Sequence, residues 1–241
     1  MLAETIRIRD HHRMCGRARL SSDWSELKIR FRIPDDVPAP NYPARWNLAP
    51  TQSIPIIHHD TEAGHRVAPL MRWGLIPFWA KDAKIGYTTI NARSDTIDTK
   101  PAFREAFKRR RCLVPIDSFY EWEQITPKVK QPWAIALKSR TIMGMAGLWE
   151  TWKSPEGEVV KSFTIATSEP NTLMAGFHDR MPVILDEQDW PTWLGEAPAD
   201  PDALKQLLRP YPDELMDAWK VGAAVGNVRN EGPSLLGPLA V

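Results

Sequence analysis

The chain has 241 residues, which suits one large domain or two small ones, and its 43% hydrophobic and 25% charged residues are ordinary for a globular protein. A net charge of +1 excludes a histone-like polyanion binder, and no apolar run approaches the roughly 18 residues that a membrane span needs. Trp and Pro are unusually frequent, with 11 and 22 residues. Because proline breaks helix interiors, this composition argues against a helical bundle and favours a mixed or β-rich fold.

Short β-type runs, bounded by turn residues, dominate the chain and alternate with a few short helices. In order, we predict a helix at 22–31 capped by Ser22; strands at 54–58, 67–73 and 88–91; a helix at 102–108 opened by Pro101; strands at 112–116, 119–123, 133–137, 141–149 and 162–167; a helix at 170–177; a β-like run at 181–185; and short helices after residue 186, including 201–208 capped by Asp200. No internal repeat or linker divides the chain. The pattern predicts one α+β domain with a curved, barrel-like, mostly antiparallel β-sheet core flanked by short helices.

Charge is unevenly distributed along this nearly neutral chain. Residues 100–111 hold six basic residues and one acid, whereas residues 186–217 hold nine acids and two basic residues. Such a division permits a local polyanion-binding site on a neutral protein. A solvated helix face explains the basic segment equally well.

The two cysteines differ in their surroundings. Cys112 lies in an apolar run and is expected to be a buried small hydrophobe. Cys15 is followed by Gly16 and Arg17, and a nearby cation favours the nucleophilic thiolate, although a lone cysteine is more often structural. Neither the cysteine spacing nor any His, Asp or Glu cluster is typical of a metal site, so we predict no metal and no cofactor. Residues 1–14 lack the apolar segment of a secretory signal, and a cytoplasmic location is therefore expected.

Three further positions could carry chemistry, and each has a plainer alternative. Glu121 lies among aromatic residues and on a strand would point away from Trp122, so it is a candidate general acid or else a surface glutamate. His178, beside an Asp and an Arg, is a candidate acid, base or phosphate contact, or else a helix C-cap. Asn91 and Arg93 could orient a substrate and hold a phosphate, or could form an ordinary turn.

Aromatic residues interleaved with basic residues suggest a nucleic-acid surface. Trp73, Phe78, Trp79 and Trp122 lie near basic positions 72, 81, 84 and 93, a combination typical of a stacking platform for single-stranded nucleic acid. Most of the tryptophans are nevertheless expected to fill the core. The sequence has no Gly-rich phosphate loop and no Gly-x-Ser-x-Gly motif.

Taken together, nine short motifs in one order resemble the SOS response-associated peptidase (SRAP) family. They are MCGR (14–17), WNLAP (46–50), RWGLIP (72–77), INAR (90–93), RCLVP (111–115), FYEW (119–122), AGLW (146–149), FTIAT (163–167) and HDRMP (178–182). The resemblance implies binding of abasic sites in single-stranded DNA and a covalent thiazolidine crosslink between an N-terminal cysteine and the ring-opened sugar aldehyde. It also implies a role in DNA damage and the SOS response, with lyase-type activity and self-processing peptidase activity.

The resemblance also implies the site residues. Cys15 would be the crosslinking nucleophile, and Asn91, Glu121 and His178 would complete the active site. Arg17, Arg93 and Arg180 would hold the DNA backbone, Thr167 would line the pocket, Pro50 and Trp122 would wedge or stack beside the lesion, and Trp73 would present an aromatic ring to DNA. We expect a monomer with no membrane partner, associated with the nucleoid when bound to DNA.

One departure from the family pattern concerns the residues before Cys15. Fourteen residues precede it, so its nitrogen would be an amide that cannot form a thiazolidine. Translation starting at Met14, followed by removal of that methionine, would expose the amine; cleavage of a leader would do the same, and we favour the first explanation. The predicted domain is then 15–241, with residues 1–14 absent from the mature protein.

Two other functions remain open from the sequence. Cys15 could be the nucleophile of a thiol peptidase that acts on polypeptides. Alternatively, the aromatic and arginine residues could form a non-enzymatic module that binds single-stranded DNA.

Overall fold

Fourteen strands account for most of the regular structure of residues 16–238, the part of the chain that the computed structural model describes. Strands β1 to β14 are Ala18–Leu20, Arg45–Leu48, Ser53–Pro55, His58–Asp60, His65–Val67, Leu70–Trp73, Asn91–Arg93, Arg111–Ile116, Ser118–Thr126, Val129–Leu137, Met143–Lys153, Val159–Ser168, Met181–Pro182 and Met216–Lys220.

The helices are short and peripheral. Helices α1 to α5 are Trp24–Phe31, Arg104–Arg109, Thr172–Ala175, Trp190–Leu194 and Pro201–Gln206, and 3-10 turns lie at Ala83–Tyr87, Glu187–Asp189, Asp213–Leu215, Ala223–Gly226 and Pro233–Leu236. Within residues 16–238, none of the helices is long and apolar enough to cross a membrane.

Two sheets enclose the core. The first has the strand order β14-β10-β9-β1-β2, and the second has the order β3-β6-β12-β11-β8, with β7 and β13 also paired to β12. Pairing is antiparallel except where β12 runs parallel to β6 and β7. The chain passes from the second sheet to the first at Asp117, between β8 and β9. The predicted α+β class, with a curved and mostly antiparallel sheet core, is confirmed.

Asp117 joins the two sheets at this crossing. Its buried carboxylate accepts hydrogen bonds from the backbone N–H groups of Ser21 and Ser22, at 2.7 and 3.0 Å, and from the hydroxyl of Ser22 at 2.8 Å. The Asp117 N–H donates to the carbonyl of Arg19 at 2.9 Å. The segment that leads from β1 into α1 is therefore held against the β8–β9 corner by charge-assisted hydrogen bonds.

These bonds also explain an error in the predicted start of α1. Because Ser22 donates its hydroxyl proton to Asp117, Asp23 caps the helix instead, and α1 begins at Trp24. Asp23 accepts from the N–H of Glu26, and Glu26 accepts from the N–H of Asp23, which completes a capping box. The predicted cap at Asp200 is confirmed, although α5 ends at Gln206, two residues earlier than predicted.

Two other helices also differ from their predicted bounds. The helix predicted at 170–177 spans only Thr172–Ala175, because Asn171 accepts a hydrogen bond from the N–H of Met174 and caps it there. The helix predicted at 102–108 begins later, at Arg104.

Replacing Asp117 by alanine should lower the free energy of unfolding by about 3 kcal/mol, because several buried donors would lose a charged acceptor. The exposed Asp35, which pairs with Lys28 at the surface, provides a matched control, and Asp35→Ala should leave the urea midpoint nearly unchanged. Equal midpoints for the two variants would contradict the assigned role of Asp117.

Candidate functional site

Several predicted site residues meet at the carboxyl end of β12. On one side of β12, the parallel strand β7 aligns Asn91 with Ile165 and Arg93 with Thr167. On the other side, β13 aligns Pro182 with Thr167. The motifs INAR, FTIAT and HDRMP, distant in sequence, therefore form one surface at this strand end.

Two arginines lie on this surface, together with the carboxylates of Asp95 and Asp179. Arg180 donates from Nε to the hydroxyl of Thr167 at 3.1 Å and from Nη2 to the Thr167 carbonyl at 2.5 Å. Arg93 is about half exposed and pairs with Asp95 at 2.6 Å. Burial lowers the pKa of Arg180, and the positive charge of Arg93 lowers it further, which places the two guanidinium groups within electrostatic reach of each other. The pair is suited to an anion.

His178 lies in the loop between α3 and β13, next to the arginine pair. Its backbone N–H donates to the carbonyl of Met174 at 3.0 Å, while Gly176 is the C-cap of α3, so the alternative prediction of a C-cap histidine is wrong. Its Nδ1 lies 2.7 Å from a carboxylate oxygen of Asp179 and 3.2 Å from the N–H of Arg180. A protonated Nδ1 would donate to Asp179, whereas an unprotonated one would accept from Arg180, and the ring therefore has a partner in either state.

Glu121 is buried on β9, with 5% of its surface exposed, so the alternative of a surface glutamate is wrong. The side chains of β9 alternate as predicted: Phe119 belongs to the main core, whereas Tyr120 and Trp122 pack in a second apolar cluster on the opposite face. Glu121 shares the face of Phe119.

A pair of aromatic rings links Glu121 to the His178 loop. Trp133 on β10 lies directly opposite Glu121, so their side chains share a face. The Trp133 ring is 5.2 Å from that of Phe177, the residue that precedes His178. The structure thus brings Glu121, from the first sheet, toward the β12 surface of the second.

Cys15 lies outside the described residues, but the chain that follows it is well placed. Strand β1 pairs with β9 so that Ala18 faces Phe119, and the carbonyl of Arg17 accepts from the N–H of Tyr120 at 3.0 Å. Continued two residues beyond Ala18, this antiparallel register would align Gly16 with Glu121. The start of β1 therefore lies beside the strand that carries the buried carboxyl.

Arg17 faces the C-terminal segment through its guanidinium. Nη1 donates to the side-chain oxygen of Asn47 at 2.8 Å and to the carbonyl of Val225 at 2.7 Å, and Nη2 donates to the carbonyl of Gly226 at 3.1 Å. These contacts were not foreseen from the sequence, since the partners lie up to 209 positions away. Contact between Arg17 and DNA stays a prediction.

Trp73 does not present its ring to a ligand, and the prediction of a DNA-surface aromatic at this position is wrong. The side chain is 1% exposed, its indole N–H donates to the carbonyl of Ile90 at 3.0 Å, and its ring stacks on Phe163 at 6.1 Å. On β6, Met71 and Trp73 face inward while Arg72 between them is half-buried. This period of two was visible in the sequence and could have identified Trp73 as a core residue.

The exposed aromatic side chains of this region lie further along the chain, in the loop 74–87. Phe78 is 57% and Trp79 is 48% exposed. The loop is anchored by the indole of Trp152, which donates to the carbonyl of Ala80 at 2.6 Å, and by Ser162, whose hydroxyl accepts from the N–H of Ile76. Phe78 and Trp79 are therefore displayed from a fixed backbone, and Tyr87, which is 49% exposed, lies at the end of the loop.

Close backbone contact fixes the base of this loop. Gly74 has a φ of +110°, and a Cβ there would lie 2.4 Å from the carbonyl oxygen of Gly86. Only glycine fits the close approach of these two segments.

The remaining predicted positions are partly accessible or are structural. Pro50 and Trp122 are half-buried, which leaves part of each side chain at the surface, and their DNA contacts stay predictions. Thr167 is 1% exposed. Cys112 is fully buried, as predicted, and burial raises the pKa of its thiol well above the usual value, so it is a poor nucleophile. Residues 16–238 contain no group of three or more His, Cys, Asp or Glu side chains that could hold a metal ion.

A family model matches almost the whole chain. The family is described as SOS response associated peptidase (SRAP), and its model matches residues 14–228. The start of this match coincides with the MCGR motif.

Two curated proteins are also similar to this chain. The abasic site processing protein YoqW of Bacillus subtilis (strain 168) is 44% identical over 223 residues, which cover 92% of this chain and 99% of that protein. The abasic site processing protein HMCES of Xenopus tropicalis is 34% identical, over 81% of this chain and 66% of that protein.

Among solved structures, a crystal structure of a protein from Bacteroides thetaiotaomicron aligns with a TM-score of 0.85 at 27% identity, covering 94% of this chain and 100% of that one. One from Bordetella bronchiseptica aligns with a TM-score of 0.71 at 26% identity, covering 86% of this chain and 100% of that one.

The different positions of Trp73 and Trp79 predict different effects of truncation. Trp73→Ala should lower the free energy of unfolding by about 3–5 kcal/mol, because it opens a cavity in the core. Trp79→Ala removes an exposed ring and should cost less than about 1 kcal/mol. Urea unfolding of both variants tests the assignment, and a small loss for Trp73→Ala would contradict it.

Proposed function

The chain belongs to the SOS response-associated peptidase (SRAP) family, and on that premise we propose that it recognises abasic sites in single-stranded DNA and crosslinks to them through an N-terminal Cys15. Its relatives are named abasic site processing proteins, which supports abasic DNA as the substrate. The observation that supports the proposal is the β1–β9 register, which sets the start of β1 beside the strand that carries the buried Glu121.

The proposed crosslink needs only the two reactive groups of one residue. An α-amine has a pKa of about 7.7–8.0, so a useful fraction is neutral at cellular pH. Its nitrogen attacks C1′ of the ring-opened sugar, and the carbinolamine loses water to give an imine. The thiol sulfur then bonds to C1′ while its proton passes to the nitrogen, which closes a five-membered ring with net loss of one water. Because both groups belong to one residue, their effective concentration is high.

Three side chains have proposed proton-transfer or orienting roles. Glu121 would carry protons during imine formation and during β-elimination at the sugar, the lyase-type activity. His178 would donate a proton to the ring oxygen of the sugar as it opens, and its contacts with Asp179 and Arg180 would hold its ring. Asn91 would orient the amine or the sugar from the adjacent strand β7.

Contacts to DNA would come from the surface around β12. Arg93 and Arg180 would hold phosphates on either side of Thr167. Phe78 and Trp79 would replace Trp73 as the stacking aromatics, since every base offers a face on which to stack. Pro50 and Trp122 keep their proposed place beside the lesion.

The crosslink requires a free amine on Cys15, so residues 1–14 must be absent from the working protein. A start at Met14 or removal of a leader would both meet this requirement, and in either case the working domain is 15–241. Self-processing would be a peptidase activity of the same thiol. A monomeric state and a cytoplasmic location, on nucleoid DNA, stay predictions.

A gel assay with lesion DNA tests the proposal. A chain that begins at Cys15 should form a covalent band with a single-stranded oligonucleotide that carries one abasic site, and none with intact DNA. Cys15→Ala should abolish the band. Cys112→Ala, a change at the other cysteine, should retain it, because that thiol is buried.

Two other results of this assay would contradict the proposal. Binding without a covalent band would indicate a non-enzymatic single-strand module. Peptide cleavage with no response to the lesion would indicate a thiol peptidase.

Arg93 should contribute one phosphate contact. Arg93→Gln should weaken binding to single-stranded DNA and reduce the slope of log affinity against log salt by about 0.7. Arg140→Gln is the matched control, since Arg140 is equally exposed and also pairs with an aspartate. Equal slopes for the two variants would place the phosphate contacts elsewhere.

A further inference from the structure

Asn47 is the most completely engaged polar side chain near the start of the described chain. It is fully buried at the end of β2. Its Nδ2 donates to the carbonyls of Val225, Asn227 and Asn230 at 3.2, 2.9 and 3.1 Å. Its Oδ1 accepts from Nη1 of Arg17 at 2.8 Å. One amide thus ties the segment 225–230 to the beginning of β1.

Arg17 is held from the same side by the same segment. Its guanidinium donates to the carbonyls of Val225 and Gly226 as well as to Asn47, and it forms no ion pair with any residue in 16–238. We call this arrangement the Asn47 clamp: Asn47, the Arg17 side chain and the carbonyls of segment 225–230. Its hydrogen bonds fix a guanidinium through its fork geometry, which a lysine cannot reproduce.

The backbone of Arg17 is fixed as well. Its carbonyl accepts from the N–H of Tyr120, and the Tyr120 hydroxyl donates to the carbonyl of Trp46, the residue before Asn47. Val225 packs in the same buried cluster as Tyr120. Both the main chain and the side chain of Arg17 are therefore immobilised against one rigid assembly.

We propose that Asn47 is a positioning residue for the crosslinking reaction, because the Asn47 clamp fixes the chain immediately after Cys15. The proposal rests on the proposed function. Two residues span at most about 7 Å, so immobilising Arg17 limits how far the amine and thiol of Cys15 can move from the start of β1. Misplacing a reacting group by about 1 Å can reduce a rate about 100-fold.

A second partly buried arginine, Arg111, provides a comparison for Arg17 because it lies elsewhere in the fold. Arg111 on β8 makes the same kind of contacts, donating to the carbonyls of Phe107, Lys108 and Trp193, and burial lowers its pKa as it lowers that of Arg17. Arg111 aligns with Leu148 in the second sheet, whereas β1 belongs to the first. Those side-chain hydrogen bonds hold α2 and α4 and none of them reaches β1, so Arg111 serves as a matched control.

The test separates binding from reaction. Arg17→Lys, Asn47→Asp and the control Arg111→Lys are prepared in a chain that begins at Cys15. Affinity is measured on a single-stranded oligonucleotide with a tetrahydrofuran site, which lacks the aldehyde and cannot crosslink. The crosslinking rate is measured at saturating oligonucleotide with a true abasic site, and thermal unfolding is recorded for each variant.

Asn47→Asp should crosslink at least about 10-fold more slowly while its affinity for the tetrahydrofuran oligonucleotide changes less than about 3-fold. Arg17→Lys should lose crosslinking rate by a larger factor than it loses affinity. Arg111→Lys should crosslink at the wild-type rate even if its melting temperature falls. If Asn47→Asp does not fold, Arg17→Lys decides alone, because lysine keeps the positive charge and removes only the fork geometry of the guanidinium.

Three outcomes would overturn the proposal. Wild-type rates in the folded clamp variants would show that the clamp does not position Cys15. If the affinity of Arg17→Lys falls by the same factor as its crosslinking rate, Arg17 is a phosphate contact. If Arg111→Lys loses as much crosslinking rate as the clamp variants, the effect is one of stability. A wild-type chain that binds but does not crosslink would contradict the proposed function itself.

Discussion

The antiparallel pairing of β1 with β9 is the interaction on which the candidate site depends. In the proposed reaction both reacting groups belong to the first residue of the working chain, and a chain terminus is ordinarily the most mobile part of a domain. The pairing of Ala18 with Phe119 holds the terminus in one register. Asp117 anchors one end of this pairing through the Ser21 and Ser22 amides, and the Asn47 clamp anchors the other.

This arrangement buries polar groups, and the two in the Asn47 clamp are matched by specific contacts. Asn47 satisfies its amide on three carbonyls, and Arg17 satisfies its guanidinium on three acceptors. Unsatisfied, such groups would destabilise the fold. The β12 surface is different, since Arg93 is about half exposed there and pairs with a surface aspartate, Asp95. The Asn47 clamp and this arginine surface lie on different sheets.

Local patterns in the sequence were enough to predict much of this. The alternation around Glu121 predicted that its side chain points away from Tyr120 and Trp122, the apolar run around Cys112 predicted its burial, and Asp200 was predicted as a cap. These features depend on neighbours in sequence.

The failures arise from contacts between distant residues. Ser22 was expected to cap α1, but its hydroxyl is taken by Asp117, 95 positions away. Trp73 is an exception: the family resemblance implied a ring on the DNA surface, whereas the local alternation of β6 turns it into the core. The Asn47 clamp joins residues about 180 positions apart, and no local pattern could reveal it.

Intact mass of the purified crosslink tests whether Cys15 forms a thiazolidine with the abasic sugar. We expect a mass equal to the chain from Cys15 plus the abasic oligonucleotide minus one water, unchanged after borohydride treatment, because a thiazolidine has no reducible double bond. A crosslink that retains residues 1–14, or one that gains two hydrogens on borohydride treatment as an imine would, contradicts the thiazolidine.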